Sequence, residues 1–304
     1  MSYRAWTESV LKRWPQNRAS TAYREQLYAT AQGAKRICHL GCGYDKNHIA
    51  YPLKEQAEIV GVDLDERAGP KYHSPFWLAN AEAMPFADAQ FDLICTEYLI
   101  EHVADPAAVL REAQRVLVPG GSIVIVTPNL WSYKFLIAAA TPYGFHKWLG
   151  QYRYQRAVDE DMFPTLYRAN TVSRLRQIFK ESGFSEFQIQ IFSNGPTWFR
   201  GMPGLFEFGC LYHKIIESTD LLQQLRCGMV AVATKAGEAA PLSQPLTVRC
   251  LQCHHDRMVQ QQGAWHCLHC NHHYPVVGNM IYVAAEPPQE AVGVTRPAVH
   301  YAST

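Results

Sequence analysis

Two constellations in this 304-residue chain are spaced to do chemistry. The first is Gly41-Cys42-Gly43, set directly after the run Arg36–Leu40, with Asp63 closing a second apolar run, Ile59–Val62. Glycines at that point let the backbone turn sharply and approach a ligand closely. A carboxylate at the end of the second run accepts hydrogen bonds from the paired hydroxyls of a ribose. The second constellation is Cys250-Leu251-Gln252-Cys253 followed by Cys267-Leu268-His269-Cys270. Two C-x-x-C knuckles at that separation bring four thiolates around one tetrahedral ion, the pattern of a zinc ribbon. His254, His255, His266, His269, His272 and His273 crowd the same stretch as second-choice ligands, because four cysteines already complete the sphere.

The elements that must position the first constellation are strands alternating with helices. Strand patterns fall at about 36–40, 58–63, 76–80, 91–96 and 122–127, with helical patterns near 46–56 and 105–117, the signature of a parallel sheet covered on both faces. Phe187–Phe192 and Cys227–Thr234 add two more strand patterns, and residues 5–33 read as a helical cap over the cleft. In such a sheet a ligand sits at the carboxyl ends of the first strands. Position 46, where a dinucleotide fingerprint would have its third glycine, is lysine, and no Gly-Lys-Ser/Thr follows the turn, so neither a pyrophosphate cradle nor a Walker loop is expected.

With these elements in place, the chain resembles the class I S-adenosylmethionine-dependent methyltransferases, in the branch that holds the ubiquinone and menaquinone biosynthetic enzymes. The resemblance is carried by the glycine turn and Asp63, by Asn80-Ala81-Glu82-Ala83-Met84-Pro85-Phe86, by Phe91–Cys95 with Glu101-His102-Val103-Ala104-Asp105-Pro106, and by Arg115–Gly121 leading into Ser122–Val126. It covers residues 35–130 well and runs more weakly to about 235. It implies an α/β fold with a seven-stranded Rossmann-like sheet and helical insertions, its last strand antiparallel. It further implies that Gly41 and Gly43 lie against the methionine part of S-adenosylmethionine, that Asp63 holds the ribose, and that Asn80 and Ala81 flank the adenine. His39 stands where the family commonly has an acid, near the amino-acid end of the cofactor, and Asn80 stands where an aspartate is usual.

A hydroxyl acceptor needs its proton removed, and His102, after the fourth strand, is the first candidate base; its alternative is to anchor its own loop, and His146 and His213 stand behind it. Some relatives bind magnesium through Glu-x-x-Glu-His, but Tyr98 occupies the first acidic position here, which disfavours a magnesium-assisted reaction. Two aromatic-rich insertions, 128–170 and 194–216, are the expected seat of acceptor choice, as the core of a helical lid or as a partly aromatic cleft.

Tyr274–Ile281, after the last knuckle, resembles the small zinc-ribbon family that activates tRNA and release-factor methyltransferases by pairing with them. The ribbon, 246–284, is too small to hold together by burial alone, so its zinc is expected to be structural. A proline-punctuated linker, 236–245, joins it to the methyltransferase domain, 35–235, which follows a helical cap, 1–34; residues 285–304 have the composition of a disordered tail.

Hydrophobic residues make up 48% of the chain, ample for a core, and the net charge of +1 disfavours a nucleic-acid partner. No apolar run approaches a membrane span and the N-terminus lacks a signal-peptide core, which leads to the expectation of a cytoplasmic protein. The expected activity is methyl transfer from S-adenosylmethionine to a hydroxyl of a small molecule, saccharide or lipid-linked glycan. Two alternatives stand beside it: an RNA or translation-factor methyltransferase with its activator fused on, and a non-catalytic cofactor-binding scaffold whose ribbon recognises a partner.

Overall fold

The computed structural model describes residues 2–14, 18–43, 50–72, 74–133, 135–136, 165–197, 199–238, 242 and 244–285. The helical N-terminal stretch is two helices, α1 (Tyr3–Arg13) and α2 (Ala19–Thr30). The Ser2 hydroxyl accepts from the Ala5 amide and caps α1. Tyr23 and Leu27, four residues apart on α2, are fully buried beneath the sheet.

Seven strands follow the sequence pattern: β1 (Arg36–Leu40), β2 (Glu58–Asp63), β3 (Phe76–Leu78), β4 (Phe91–Glu97), β5 (Leu117–Pro128), β6 (Glu186–Phe192) and β7 (Gly228–Thr234). β1 is buried at every position, as befits a central strand covered on both faces. β5 begins five residues earlier than its apolar run at 122, because Phe91 pairs with Leu117 and Leu93 with Ser122, and the Pro119-Gly120-Gly121 turn is absorbed as an irregularity within the strand. α3 (Pro106–Val116) is capped by Asp105, whose carboxylate accepts from the Ala107 and Ala108 amides. α4 (Val172–Glu181) packs against α3, and α5 (Leu205–Glu217) lies in the second insertion. Of the helix expected near 46–56, the described part is a single 3-10 turn, Tyr51–Leu53. Tyr143, Phe145, His146, Trp148, Tyr152, Tyr154, Trp198 and the tail after Ala285 lie outside the described residues.

The expected seven-stranded sheet is corrected to eleven strands, in the order β6-β7-β5-β4-β1-β2-β3-β11-β10-β9-β8. The additional four come from the cysteine-bearing segment: β8 (Met258–Gln261), β9 (Ala264–Cys267), β10 (His273–Val277) and β11 (Met280–Tyr282). β11 runs parallel to β3, pairing Met280 with Phe76, Ile281 with Trp77 and Tyr282 with Leu78. The reason is physical: β3 would otherwise end the sheet with a row of unpaired backbone groups beside buried apolar side chains. All three β11 side chains are buried, and Cys250, Met258, Cys267, Tyr274 and Ile281 share one hydrophobic cluster with Trp77, Phe86 and Ile94. Trp265 closes that junction at 5.9 Å from Trp77, ring centre to ring centre.

Polar contacts fasten the same junction. The Asn279 side-chain amide donates to the carbonyls of Gly69, Tyr72 and Ser74 at 3.0, 2.8 and 3.3 Å. Asp88 sits between Arg115 and Arg249, at 3.0 and 2.9 Å, and these guanidinium groups hold its carboxyl below the ordinary range despite some desolvation. Beyond the linker stretch the chain lies along 85–90: the Ala87 amide donates to Thr247, and the Arg249 amide to Pro85. No helix among the described residues is long and apolar enough to cross a membrane.

Candidate functional site

The cradle forms where β1 and β2 end side by side. β1 is in parallel register with β2 from Arg36 opposite Glu58 to Leu40 opposite Val62, so Gly41 emerges next to Asp63. The Val62 carbonyl accepts from the Gly41 amide at 2.8 Å and draws the turn tight. Gly41 and Gly43 have φ of +70° and +50°, the left-handed region, and a Cβ on Gly41 would lie 3.0 Å from the Leu99 side chain.

Asp63 is the hub of this turn. Its Oδ2 accepts from the Gly43 amide at 2.7 Å and its Oδ1 from the Asp65 amide at 2.9 Å. Burial raises its carboxyl above the ordinary value, and the Asp65 and Gly43 amides pull against that rise. One carboxylate thus locks the glycine turn to the end of β2 and keeps lone pairs for a ligand's hydroxyls.

His39 lies on the same face of β1 as Ile37, two residues along a strand, and is 3% exposed. Its Nδ1 is 3.2 Å from the Tyr72 hydroxyl, and burial lowers its pKa to about 4, so the ring is neutral at pH 7. Asn80 and Ala81 follow β3, with Asn80 exposed and Ala81 buried. The Asn80 Oδ1 accepts from the Glu82 amide at 2.9 Å, which fixes the side chain in a local turn and leaves its NH2 group directed away from that bond. His102 is half-buried after β4, its amide donating to Leu99 at 2.8 Å. Gly41, Asp63, Asn80 and His102 therefore gather at the carboxyl ends of four adjacent parallel strands, β1 to β4.

Glu101 was not singled out by sequence as a site residue, although it stands beside His102. It is 3% exposed, and its Oε2 accepts from the Thr127 hydroxyl at 2.9 Å. Desolvation by burial pushes its carboxyl up to about 7. The only sequence signal was the Glu101-His102 pair itself.

The four cysteines form a separate centre. One Sγ from each of Cys250, Cys253, Cys267 and Cys270 lies within 4.8 Å of the other three. Cys250 and Cys270 are 3.6 Å apart and Cys253 and Cys267 3.5 Å, sulfur to sulfur. Among the described residues this is the one group of three or more metal-binding side chains so gathered, and the six histidines around it do not join it.

The sequence family described as a methyltransferase domain matches residues 38–125. Tocopherol O-methyltransferase, chloroplastic, of Arabidopsis thaliana is 31% identical over 115 residues, covering 34% of this chain and 32% of that protein. Ubiquinone biosynthesis O-methyltransferase of Cereibacter sphaeroides is 27% identical over 165 residues, covering 49% of this chain and 66% of its own length. The chain thus spans a third to two thirds of these curated relatives. Among solved structures, the methyltransferase complex with the Haloferax volcanii Trm112 activator aligns at 14% identity and a TM-score of 0.46, covering 78% of this chain and 96% of that one. Residues 38–125, which hold the glycine turn, Asp63 and the first strands, are thus the part of the chain that is similar to methyltransferase domains.

Proposed function

We propose that this chain transfers a methyl group from S-adenosylmethionine to a hydroxyl of a small molecule, saccharide or lipid-linked glycan. The observation that supports this best is Asp63 held by the Gly43 and Asp65 amides at the shared end of β1 and β2. In this reading the Asp63 carboxylate accepts from the ribose hydroxyls, Gly41 and Gly43 admit the methionine part, and Asn80 and Ala81 bracket the adenine. His39, neutral and paired with Tyr72, braces the floor of the turn. The cofactor supplies a methyl group already activated by the positive sulfur, so the chain's task is alignment and exclusion of water. His102 would accept the hydroxyl proton of the acceptor as its oxygen takes the methyl carbon and the carbon–sulfur bond breaks, releasing S-adenosylhomocysteine.

The four cysteines fit a zinc ion, since a set of four thiolate sulfurs is the donor set of closed structural sites. Such a site leaves no coordination position for substrate, and its role here is to fold the ribbon. A second reading, with RNA or a translation factor as acceptor and the ribbon as a fused activator, draws support from the pairing of β11 with β3. The near-neutral charge of +1 speaks against it.

The test is to incubate the protein and an Asp63→Ala control with methyl-labelled S-adenosylmethionine and a cell extract, then fractionate. Asp63-dependent label in small-molecule or lipid-glycan pools is the expected result. Label confined to RNA or protein would establish the second reading instead, and cofactor binding without any label would point to the non-catalytic scaffold.

A further inference from the structure

Glu101 connects three pieces of chain that are distant in sequence. Its peptide oxygen accepts from the Leu166 and Tyr167 amides, at 2.6 and 3.1 Å. Its carboxyl accepts from Thr127 at the end of β5, and the Thr127 oxygen accepts in turn from Asn170 Nδ2 at 2.8 Å. The same Nδ2 donates to the Pro128 carbonyl at 3.0 Å, and the Asn170 carbonyl accepts from the Leu130 amide at 2.7 Å. The segment Leu166–Asn170 is therefore tied at one end to the Glu101 backbone and at the other, through Thr127, to the Glu101 side chain. Glu101, Thr127 and Asn170 are all at most 3% exposed.

Three large apolar side chains are carried on this network and still face solvent: Tyr98, three residues before Glu101; Leu166, hydrogen-bonded to it; and Trp131, next to Leu130. They stand at the carboxyl edge of the sheet, where the cradle opens. We propose that Glu101 is a positioning residue for the methyl acceptor, holding Tyr98, Trp131 and Leu166 as one apolar rim beside His102. The inference rests on the reading of this edge as the site of methyl transfer. Because Glu101 has no room to touch an acceptor, it acts through the chain it fastens.

The carboxyl makes the fastening sensitive to protonation. Among the described residues its one side-chain donor is the Thr127 hydroxyl, and that single bond does not repay the cost of burying the anion. Among the described residues the ionisable groups carried by the surrounding elements are Glu97 and Tyr98 at the end of β4, His102 beside it, Tyr167, and Arg168, whose guanidinium turns to the Ala104 carbonyl. Burial of its hydroxyl, and then the nearby Glu97 and Glu101, raise the Tyr98 pKa to about 12, so the rim tyrosine stays neutral. Loss of the Glu101 proton adds a second negative charge to this corner and weakens the clamp.

The experiment is hydrogen exchange of the Leu166 and Tyr167 amides in the full chain from pH 6 to pH 8, corrected for intrinsic rates, in wild type, Glu101→Gln and Thr127→Val. Wild-type protection is expected to fall at least tenfold across this range, and Glu101→Gln, which keeps an acceptor for Thr127 but carries no charge, to change less than twofold. Thr127→Val is expected to lower protection at every pH. A glutamine variant whose profile follows wild type overturns the proposal. Steady-state transfer of methyl label from S-adenosylmethionine into the acceptor pool of the cell extract gives the second readout: Glu101→Gln should flatten its pH dependence over the same range. Calorimetric binding of S-adenosylhomocysteine keeps the two readings apart. If wild type fails to bind it, the methyl-transfer reading fails, and the exchange profile still decides whether Glu101 is the clamp.

Discussion

Replacing Asn279 tests how firmly the ribbon is fastened to the sheet. Its amide reaches three carbonyls of the 69–74 loop, two of them at 2.8 and 3.0 Å, and its own carbonyl accepts from the Phe76 amide at 2.9 Å. Asn279→Ala removes the side-chain bonds and leaves the backbone one. With a net value of about 1 kcal/mol for each well-formed bond, the loss is about 2 kcal/mol. Asn279→Asp keeps the shape but turns a carboxylate towards carbonyl oxygens, so the expected loss rises to about 3 kcal/mol or more. Each kcal/mol lowers the melting temperature of a domain this size by roughly 2–4 °C. The assay is thermal unfolding at pH 7, with exchange of the Phe76 and Met280 amides as local reporters. An Asn279→Asp protein that melts within about 1 °C of wild type, with both amides still protected, would refute the reasoning.

Other outcomes follow from the same geometry. The folded Glu101 carboxyl titrates at about 7 against 4.5 in the unfolded chain, so the folded state binds the extra proton. Stability is therefore fully present below pH 4.5 and is lost as pH rises through 7, by at most about 3 kcal/mol, and Glu101→Gln should abolish that slope in chemical denaturation at pH 5 and pH 8. Gly41→Ala should cost about 2 kcal/mol and weaken S-adenosylhomocysteine binding in calorimetry, because alanine is strained at φ +70° and its Cβ crowds Leu99. Stripping metal with a chelator, or Cys267→Ser, should abolish amide protection in β8 to β10 and then expose β3, read as higher exchange at Phe76 and concentration-dependent aggregation.

What the sequence disclosed and what it withheld follow from the range of the interactions. The cradle was legible because its parts are local: the strand, the glycines and Asp63 lie within 36–63, and each residue type has few alternatives at its position. The cysteine knuckles were legible because metal geometry fixes their spacing. The addition of β11 to β3 left no comparable mark, since a three-residue strand such as Met280-Ile281-Tyr282 has no periodicity and its partner lies some 200 residues away. Asn279 read only as part of the Tyr274–Ile281 resemblance, and its role as a fastener between distant loops left no mark in the sequence. Glu101 was hidden for the opposite reason: a glutamate is expected at the surface, and only the packing of β5 and the 166–170 segment removes it from water. His39 stood out as a departure from the family pattern, and its pairing with Tyr72 depends on a turn that the sequence did not specify.

The parallel pairing of Phe76 with Met280 also sets an order of events during synthesis. When β1 to β7 have left the ribosome, β3 has no neighbour on its outer side, and at about 5–20 residues per second the last strand arrives only several seconds later still. Through that interval the nascent protein carries an open template for pairing with another chain. If the four cysteines hold zinc as proposed, zinc supply becomes a condition for finishing the fold, because the strand that closes the edge lies shortly after the last cysteine. On that reading, a shortage of zinc would leave this protein with its sheet still open and prone to aggregate.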